Sequence, residues 1–421
     1  MSNERQRIAV IGAGVSGLTT AWLLSEKYDV ELFEAGDYAG GHTNTEMVTA
    51  GGREWPVNTG FIVFNDWTYP NFMKLMDRLG VASEVSDMSF SVDCHSSGLQ
   101  YNGTSLNTLF AQRSNLLNLP FLRMIQEILR FNKESRADLA AGNIADTETL
   151  GEYLNRNGYS RYFRQYYIVP MGAAIWSAPE IVLEQFPIRF FLQFFNNHGM
   201  LSVDDRPTWR VISGGSARYV DAMMERLGDR THLNSPVSSV VREPDHVVVT
   251  VNHEHHHFDQ VVFACHSDQA LGMIADPSAK ELEILGAITY QRNDVVLHTD
   301  RSVLPSNRRA WAAWNYFIPQ HSTEPVSVTY NMNILQNFDE APETFCVTLN
   351  RSQDIDPERV IKCFDYAHPV FTLEAVAAQK RYDEIGGHNR SHFCGAYWFN
   401  GFHEDGVSSA LRVTQALGVE L

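Results

Sequence analysis

Two patterns of apolar and polar residues alternate over the first forty positions of the chain. Residues 7–11 and 30–33 are short, mostly apolar runs typical of strands, whereas residues 18–26 place apolar side chains at helical spacing. A glycine-rich turn separates the first run from the helical stretch. This order predicts a βαβ unit with parallel strands and a right-handed crossover.

Helical and strand patterns also alternate further along the chain. Residues 115–139 carry apolar side chains at helical spacing with basic residues between them, and residues 150–195 form a second helical region rich in aromatic residues. After a glycine pair and another helix come three predicted strands, at residues 237–241, 247–251 and 260–264. The tail from residue 390 predicts a turn and a last helix.

Strand, turn and helix segments thus occur at the start, the centre and the end of the chain, with two insertions between them. We therefore predict an α/β fold in which residues 1–90, 205–275 and 385–421 form one Rossmann-like domain that is discontinuous in sequence. Residues 91–204 and 276–384 would form an inserted α+β domain, to which we assign the substrate.

Composition and charge exclude several classes of protein. The 421 residues are 44% hydrophobic, and 50 acidic against 33 basic residues give a formal net charge of −17. So acidic a protein repels nucleic acid, which we exclude as a partner. Five scattered cysteines without a C-x-x-C pair argue against a disulfide framework or a zinc site. We expect a cytoplasmic protein, because no signal peptide and no run of about 18 apolar residues is visible.

Three glycines with the spacing G-x-G-x-x-G form the first turn. They are Gly12, Gly14 and Gly17, with Val15 and Ser16 between the last two. In a nucleotide-binding turn the first glycine permits the bend, the second lets the backbone approach a pyrophosphate, and the third lets helix and strand pack closely. The N–H groups at the start of the helix would face the phosphates. We predict dinucleotide binding here.

An acidic residue and a second glycine pair follow the second strand. The residues are Glu34 and Ala35, then Gly40, Gly41, His42 and Thr43. A carboxylate at the end of this strand can accept hydrogen bonds from both ribose hydroxyls. The glycine pair lets the backbone pass close to the phosphate or ribityl part of an extended cofactor, although a plain β-turn is the alternative. This continuation favours FAD over NAD.

These residues and the tail resemble the superfamily of FAD-dependent amine oxidases and phytoene desaturases. Residues 393–398 and 401–407 are similar to the closing flavin-binding segment of that superfamily. More narrowly, the chain resembles bacterial FAD/NAD-binding amine oxidase-like proteins that are encoded beside homologues of cyclopropane-fatty-acyl synthase. The matching stretches span nearly the whole chain: residues 40–45, 58–65, 209–219, 297–300, 311–316 and 395–407.

The resemblance implies FAD as the cofactor and assigns residues to it. The adenosine half would be held by Gly12, Gly14, Gly17 and Glu34, and the backbone of Val237 would grip the adenine. Gly41, His42 and Thr43 would lie along the pyrophosphate and the ribityl chain. The closing segment contributes Gly395, Glu404, Gly406 and Val407, and its helix would direct its positive end at the flavin. For Glu404 an ordinary helix cap is the alternative.

The chain also departs from the superfamily. Amine oxidases carry a lysine near the flavin N5, and no lysine of this sequence can be assigned to that position. Tyr397 and Trp398 only suggest the paired aromatic side chains of an amine-binding cage, and both are kept as catalytic candidates. These departures weaken amine oxidation as the specific reaction.

The inserted region is rich in large apolar side chains, among them Tyr166, Met171, Trp176, Phe190 and Phe194. Most are expected to be core, but as a set with few interleaved charges they suit a long apolar cavity. Such a cavity favours an acyl or isoprenoid chain over a charged amine. The basic helix near residues 115–136 could touch a membrane surface transiently, or be an ordinary amphipathic helix of a soluble domain.

Histidines supply the remaining candidates. Residues 253 and 255–257 are histidines between two predicted strands, where we expect a solvated turn rather than a metal site. We predict no metal. His198 and His298 lie in or near stretches that match the narrower group, and either could exchange a proton near the flavin. A structural role is the alternative for both.

Together these observations predict an FAD-dependent oxidoreductase that removes hydride from a C–H bond of an apolar substrate. The leading hypothesis is desaturation of a fatty-acyl lipid, methylated beforehand by a cyclopropane-synthase-like methyltransferase. Three alternatives stay open: a flavin amine oxidase, a flavin-dependent double-bond isomerase of fatty acids, and a non-catalytic flavoprotein partner of a lipid-modifying enzyme.

Overall fold

A five-stranded parallel sheet gathers strands from the start, the centre and the end of the chain. The computed structural model on which this description rests covers residues 5–320 and 327–421. Arg7–Ile11 is the central strand of the sheet, between Asp29–Phe33 and Gln260–Phe263. Thr231–His232 and Ser391–Phe393 form its edges. The predicted α/β class is confirmed.

The helix Val15–Leu24 connects the first two strands and is buried along its entire length. It contacts the helix Ala217–Leu227 and the last helix, His403–Ala416. An all-round apolar or small-residue surface is what a helix enclosed on every side requires. The predicted βαβ unit therefore forms at the core of the molecule, with the glycine turn at the carboxyl ends of the parallel strands.

A seven-stranded mixed sheet forms the second large layer. Phe90–Cys94 pairs in parallel with Trp314–Ile318, and the other neighbours are antiparallel. In spatial order its strands are Val360–Val370, Thr289–His298, Cys346–Leu349, Ser327–Asn331, Trp314–Ile318, Phe90–Cys94 and Gln100–Asn102. Smaller sheets are Thr45–Ala50 with Arg53–Asn58, and Phe64–Asn65 with Trp209–Ile212 and Ser83–Val85.

A helical layer packs beside this second sheet. Its longest member is Leu119–Ala141, which begins where the Asn118 side chain accepts the Phe121 N–H and ends at Gly142, whose φ is +69°. The other main helices of the layer are Leu150–Arg156, Val169–Trp176 and Ile188–Asn197. Their buried aromatic residues share one core with strands of the seven-stranded sheet. Elsewhere lie the helices Pro70–Leu79, Ser267–Met273, Ala279–Gly286 and Leu373–Gln379.

One local prediction is wrong. The histidines at 255–257 belong to the strand Glu254–Phe258, which pairs with Val247–Val251, and the turn is confined to the residues before it. Polar side chains fit this strand because it lies at the edge of a three-stranded sheet, Val237–Arg242 being the other neighbour of the central strand.

Within the described residues, no group of three or more His, Cys, Asp or Glu side chains could hold a metal ion. Over the same ranges, no helix is both long enough and apolar enough to cross a membrane.

Candidate active site

One cavity of about 1420 Å³ extends from the glycine turn of the parallel sheet into the helical layer. Pockets for one small ligand usually enclose roughly 300–1,000 Å³. The cavity therefore has room for a cofactor and a second ligand. Its wall includes most of the residues predicted to bind the cofactor: Gly12, Gly14, Val15, Ser16, Glu34, Ala35, Gly40, Gly41, His42, Val237 and Gly395.

The first glycine turn is packed on its inner side and open on its outer side. A Cβ atom on Gly17 would come within 1.8 Å of the Gly12 carbonyl oxygen, so only glycine allows this approach of helix to strand. A Cβ atom on Gly14 would meet nothing within 4 Å, because that residue faces the cavity. No side chain caps the helix that follows. Its first N–H groups are thus available to an anion in the cavity.

The Glu34 carboxylate is fixed at the wall by two backbone donors. Oε2 accepts the Ala13 N–H at 2.7 Å, and Oε1 accepts the Gly36 N–H at 2.8 Å. Each carboxylate oxygen keeps a further lone pair for a hydroxyl donor. Beside it, the Ser235 N–H donates to the Glu34 carbonyl at 2.8 Å, which brings the start of the Val237 strand to the same end of the cavity. This end suits an adenosine.

The second glycine pair lies against the first turn. Gly40 donates its N–H to the Ala13 carbonyl at 2.8 Å, and a Cβ atom on Gly41 would lie 3.1 Å from the Gly14 Cα. His42 lines the cavity, whereas Thr43 lies behind the wall. The Thr43 hydroxyl lies 2.5 Å from the Tyr219 hydroxyl and 2.8 Å from His403 Nε2.

The last helix packs against the first helix, and their amino-terminal turns touch beside the cavity. A Cβ atom on Gly406 would lie 2.6 Å from Val15 Cγ1, so the two amino-terminal turns are in direct contact. Val407 is fully buried in the same core. Neither Gly406 nor Val407 lines the cavity. Their packing places the amino-terminal end of the last helix, which carries a partial positive charge, beside the cavity.

Glu404 has a different contact from the predicted one. Its carboxylate accepts hydrogen bonds from the Asn71 and Phe72 N–H groups at 3.2 and 2.8 Å, and from Asn71 Nδ2 at 2.8 Å. It therefore caps the helix Pro70–Leu79 and does not line the main cavity. This geometry corresponds to the alternative of a helix cap, although the helix that Glu404 caps lies far from it in sequence.

The four catalytic candidates separate into two pairs. His198 and Tyr397 line the cavity, and His298 and Trp398 do not. His298 is fully buried in the second sheet, with Nε2 at 2.7 Å from the Thr348 hydroxyl. The buried Trp398 ring packs edge-on against Tyr382 at 4.9 Å. The structure places both side chains in cores behind the cavity wall.

Further functional candidates come from segments that are distant in sequence. His42, His266 and His368 lie side by side at the wall, with ring centroids of His42 and His368 5.3 Å apart and those of His42 and His266 6.3 Å apart. His266 was detectable in principle, because it follows the strand Gln260–Phe263 at the edge where ligands bind. His368 was not, since only the pairing of Val360–Val370 with Thr289–His298 brings it here.

Two neutral histidines of the cavity have opposite tautomers. The Phe194 carbonyl, 2.9 Å from His198 Nδ1, can only accept, so Nδ1 carries the proton and Nε2 is an acceptor. His368 Nδ1 lies 2.9 Å from Asn293 Nδ2, whose identity follows from a second hydrogen bond to the Gln291 carbonyl. His368 therefore carries its proton on Nε2. Burial, with the neighbouring His266 in the case of His368, lowers the pKa of each to about 4.

The part of the cavity inside the helical layer is apolar. Its side chains include Ile125, Ile128, Met171, Ile175 and Phe194. Among the described lining residues between positions 88 and 209, none is Asp or Glu, and Arg206 is the single Lys or Arg. No lysine lines the described wall. A second arginine, Arg292, does line it, and its guanidinium lies 3.4 Å from the Asp365 carboxylate.

The glycine turn on the parallel sheet, with Glu34 beside it, is the arrangement that binds a dinucleotide, and an apolar chamber adjoins it. The chain matches the sequence model of the family described as flavin containing amine oxidoreductase over residues 15–343. It therefore belongs to this family, whose members are FAD-dependent enzymes.

Individual relatives are distant. Flavin-containing amine oxidase A of Canis lupus familiaris is 25% identical over 270 residues, covering 61% of this chain and 49% of that protein. The chain thus spans about half the length of the curated relatives it matches. Cyclohexylamine oxidase from Brevibacterium oxydans IH-35A has a TM-score of 0.69 at 14% identity, with 98% and 99% of the two chains covered. A CLA-producing fatty acid isomerase from P. acnes has a TM-score of 0.66 at 16% identity, with 97% and 98% covered. These two likenesses show the fold alone.

The residues of the cavity fit FAD. Glu34 and the first helix end would hold the ribose and the pyrophosphate, as their open acceptors and donors indicate. The hydroxyl of Tyr397 is also buried at the wall without a hydrogen-bond partner among the described residues. An unpaired buried polar atom is rare and suits a polar ligand edge. When bound, FAD supplies an acceptor for a hydride.

Proposed function

We propose that this protein desaturates the acyl chain of a fatty-acyl lipid, with FAD as the hydride acceptor. The observation that carries this proposal is the apolar chamber without an acidic residue among its described lining positions 88–209. A hydrocarbon chain gains free energy on entering such a space, by about 0.8 kcal/mol for each buried CH₂ group.

Charge favours the same class of substrate. An amine substrate is cationic near neutral pH, and a buried cation needs a carboxylate or an equivalent partner. Between positions 88 and 209 the wall instead offers Arg206, which is exposed. Elsewhere on the wall, the Asp365 carboxylate lies 3.4 Å from the Arg292 guanidinium, and Asp268 is exposed. Arg206 could pair with the carboxylate or phosphate of an acyl lipid at the entrance.

Formation of a carbon–carbon double bond removes one hydride and one proton from neighbouring carbons. His198 Nε2 has the free lone pair that the proton requires, and the Nε2–H group of His368 can orient a polar group by donation. Both rings are neutral at pH 7, because their pKa values lie near 4. Reoxidation of the flavin needs a separate electron acceptor such as dioxygen.

The proposal includes acyl chains methylated by a cyclopropane-synthase-like methyltransferase, which would then be a functional partner in the cytoplasm. A second reaction is favoured by one observation, the unprotonated Nε2 of His198 at the cavity wall. A base that takes a proton from one carbon and returns it to another could move a double bond without net oxidation. One structural neighbour is a fatty acid isomerase.

Anaerobic reduction of bound FAD tests the proposal. The purified holoprotein is mixed with detergent-dispersed lipids carrying saturated, unsaturated or methylated acyl chains, and separately with mono- and diamines. We expect loss of flavin absorbance with one acyl class and formation of an equivalent amount of a more unsaturated product. Bleaching by amines alone would contradict lipid desaturation. Rearranged product without bleaching would favour the isomerase.

A charge placed in the chamber provides the matched control. Ile175→Asp adds a carboxylate to the lining, whereas Ile181→Asp adds one at a position that is 72% exposed and outside the cavity. We expect Ile175→Asp to slow flavin reduction by the acyl lipid at least about tenfold, because the entering acyl chain must displace the water that solvates the new carboxylate. Ile181→Asp should leave the rate unchanged.

A further inference from the structure

Four leucines project into solvent within a short stretch of the inserted region. Leu106, Leu116, Leu117 and Leu119 are 77%, 51%, 88% and 76% exposed. We call these four residues the leucine patch. Single exposed leucines need no explanation, but a local cluster of them marks a surface that binds something apolar.

The backbone beneath the patch is well ordered by its own hydrogen bonds. The Arg113 guanidinium donates to the carbonyls of Asn107 and Phe110 at 3.1 and 2.8 Å, which ties the short helix Leu106–Leu109 to the turn Arg113–Leu117. Asn118 then caps the helix that begins at Leu119. The leucines are therefore presented by a fixed scaffold.

The stretch of chain that carries the patch also contributes to the cavity wall. Leu109, Ile125 and Leu129 come from the same stretch of chain and line the cavity. Leu129 is itself 51% exposed, and Val203, which also lines the cavity, is 61% exposed. Exposed leucines and exposed residues of the cavity wall thus come from the same part of the chain.

The charge around the patch differs from that of the whole protein. Residues 94–126 contain Arg113 and Arg123 and no Asp or Glu, with Asp93 and Glu127 as the nearest acidic residues on either side, although the chain has a formal net charge of −17. Arg123 is largely exposed, with Glu127 3.5 Å away. Local positive charge beside exposed leucines is the combination that binds anionic lipid surfaces, and the acidic remainder would be repelled from them.

We propose that the leucine patch rests at the boundary between headgroups and acyl chains of an anionic phospholipid bilayer, with the cavity mouth directed at the lipid. The sequence suggests the basic helix near residues 115–136 as the contact; the structure places the exposed leucines before and at the first residue of the helix Leu119–Ala141. The patch gives an acyl chain a path from the bilayer into the chamber that does not cross water. Docking itself does not depend on the proposed reaction.

Sedimentation with vesicles tests this docking. The FAD-loaded protein is mixed with vesicles of phosphatidylcholine containing phosphatidylglycerol, or of phosphatidylcholine alone. We expect binding to the anionic vesicles, weaker binding to the neutral ones, and weakening by salt. The double variant Leu117→Ser/Leu119→Ser should reduce partitioning at least about tenfold, because each leucine contributes through its buried apolar area.

The control is Leu282→Ser/Ile361→Ser, at positions that are 52% and 41% exposed and belong to other parts of the surface. It should bind vesicles like the unmodified protein. Equal losses in both variants, or no vesicle binding by the unmodified protein, would overturn the proposal. A further result would also overturn it: the unmodified protein does not bind vesicles but forms a dimer, and Leu117→Ser/Leu119→Ser dissociates that dimer. A second copy of the chain would then cover the patch.

Reduction of FAD by detergent-dispersed lipid separates the two proposals. If the leucine variant keeps this reaction and loses reaction with lipid in vesicles, docking is supported. If no lipid reduces the flavin while vesicle binding persists, the desaturase proposal fails and docking stands. Bound flavin absorbance and the melting temperature show whether each variant is folded.

Discussion

Individual polar atoms at the cavity wall have well-defined donors and acceptors. Glu34 accepts from two backbone N–H groups, and the Asn350 side chain donates to Asn293 Oδ1 at 2.8 Å, while Asn293 in turn donates to His368. Such chains set both the orientation and the protonation of the terminal group. At the scale of residues, the site is therefore prepared for specific hydrogen bonds before a ligand enters.

The charge of Glu34 should matter more than its size. Glu34→Gln keeps the length of the side chain but places an NH₂ group against a backbone N–H donor, and it weakens acceptance from ribose hydroxyls. We expect FAD affinity to fall about tenfold to a hundredfold, corresponding to roughly 1.4–2.7 kcal/mol. Titration of the apoprotein with FAD, followed by flavin fluorescence, measures this loss. Asp37→Asn removes a charge from an exposed residue of the same loop and should leave the affinity unchanged.

Asn293 should control the protonation of His368. Asn293→Asp replaces the amide donor by a carboxylate, which attracts a proton to Nδ1 and stabilises the imidazolium. The pKa of His368 is then expected to rise from about 4 by about 1–3 units. The acid limb of the pH–rate profile for flavin reduction should move to higher pH by the same amount. Asn196→Asp, at an exposed position of the helix Ile188–Asn197, should not move it, and an unmoved profile in Asn293→Asp would exclude His368 from the reaction.

At the scale of elements, the contact between the first and last helices connects the two ends of the chain. A Cβ atom at Gly406 would lie 2.6 Å from Val15 Cγ1 and 3.0 Å from Ser16 Oγ. Gly406→Ala should therefore separate the two helix ends, destabilise the protein by roughly 1–3 kcal/mol and weaken FAD binding. Chemical denaturation and FAD titration measure the two effects.

The control for Gly406→Ala is Gly272→Ala. Gly272 also lies in a helix, Ser267–Met273, but an added Cβ there would meet nothing within 4 Å. Alanine is the better helix former by about 0.5–1 kcal/mol, so this variant should be as stable as the unmodified protein or slightly more stable. Equal destabilisation of both variants would mean that the loss at Gly406 does not come from the helix contact.

Local patterns predicted the elements that bind the nucleotide, because a strand, a glycine turn and a helix are specified by neighbouring residues. The strand Arg7–Ile11 and the contact-forming Gly12 and Gly17 illustrate this. Long-range pairing was not predictable: His368 reaches the cavity only through the register of two distant strands. Likewise, Glu404 was assigned to the flavin from its place in the tail, whereas the folding of Pro70–Leu79 against the last helix gives it another helix to cap.

At the scale of the whole molecule, seven histidines that are buried or half-buried are kept neutral. Burial lowers the pKa of all seven below the ordinary value of 6.5: His42, His198, His266, His298, His368, His392 and His403. Burial shifts the pKa of three carboxyl groups in the opposite direction. It raises the pKa of Asp93, Glu404 and Asp405, the last to about 7. Between about pH 5 and 7.5, above the range of the carboxyl groups whose pKa is lowered, folding stability depends on pH through the balance of these two sets.

Acid should destabilise the apoprotein well above the range where ordinary carboxylates titrate. A buried neutral histidine adds stability that is fully present above pH 6.5 and is lost as pH falls through its native pKa, because the unfolded chain binds the extra protons. The buried carboxyl groups oppose this, since they favour folding when protonated, but they are fewer. We expect the melting temperature to fall by at least about 5 °C between pH 7.5 and 5.0. Replacing one buried ring by His298→Gln should flatten this pH dependence, whereas His255→Gln at an exposed position should not. A melting temperature independent of pH over this interval would show that the buried histidines do not dominate the balance.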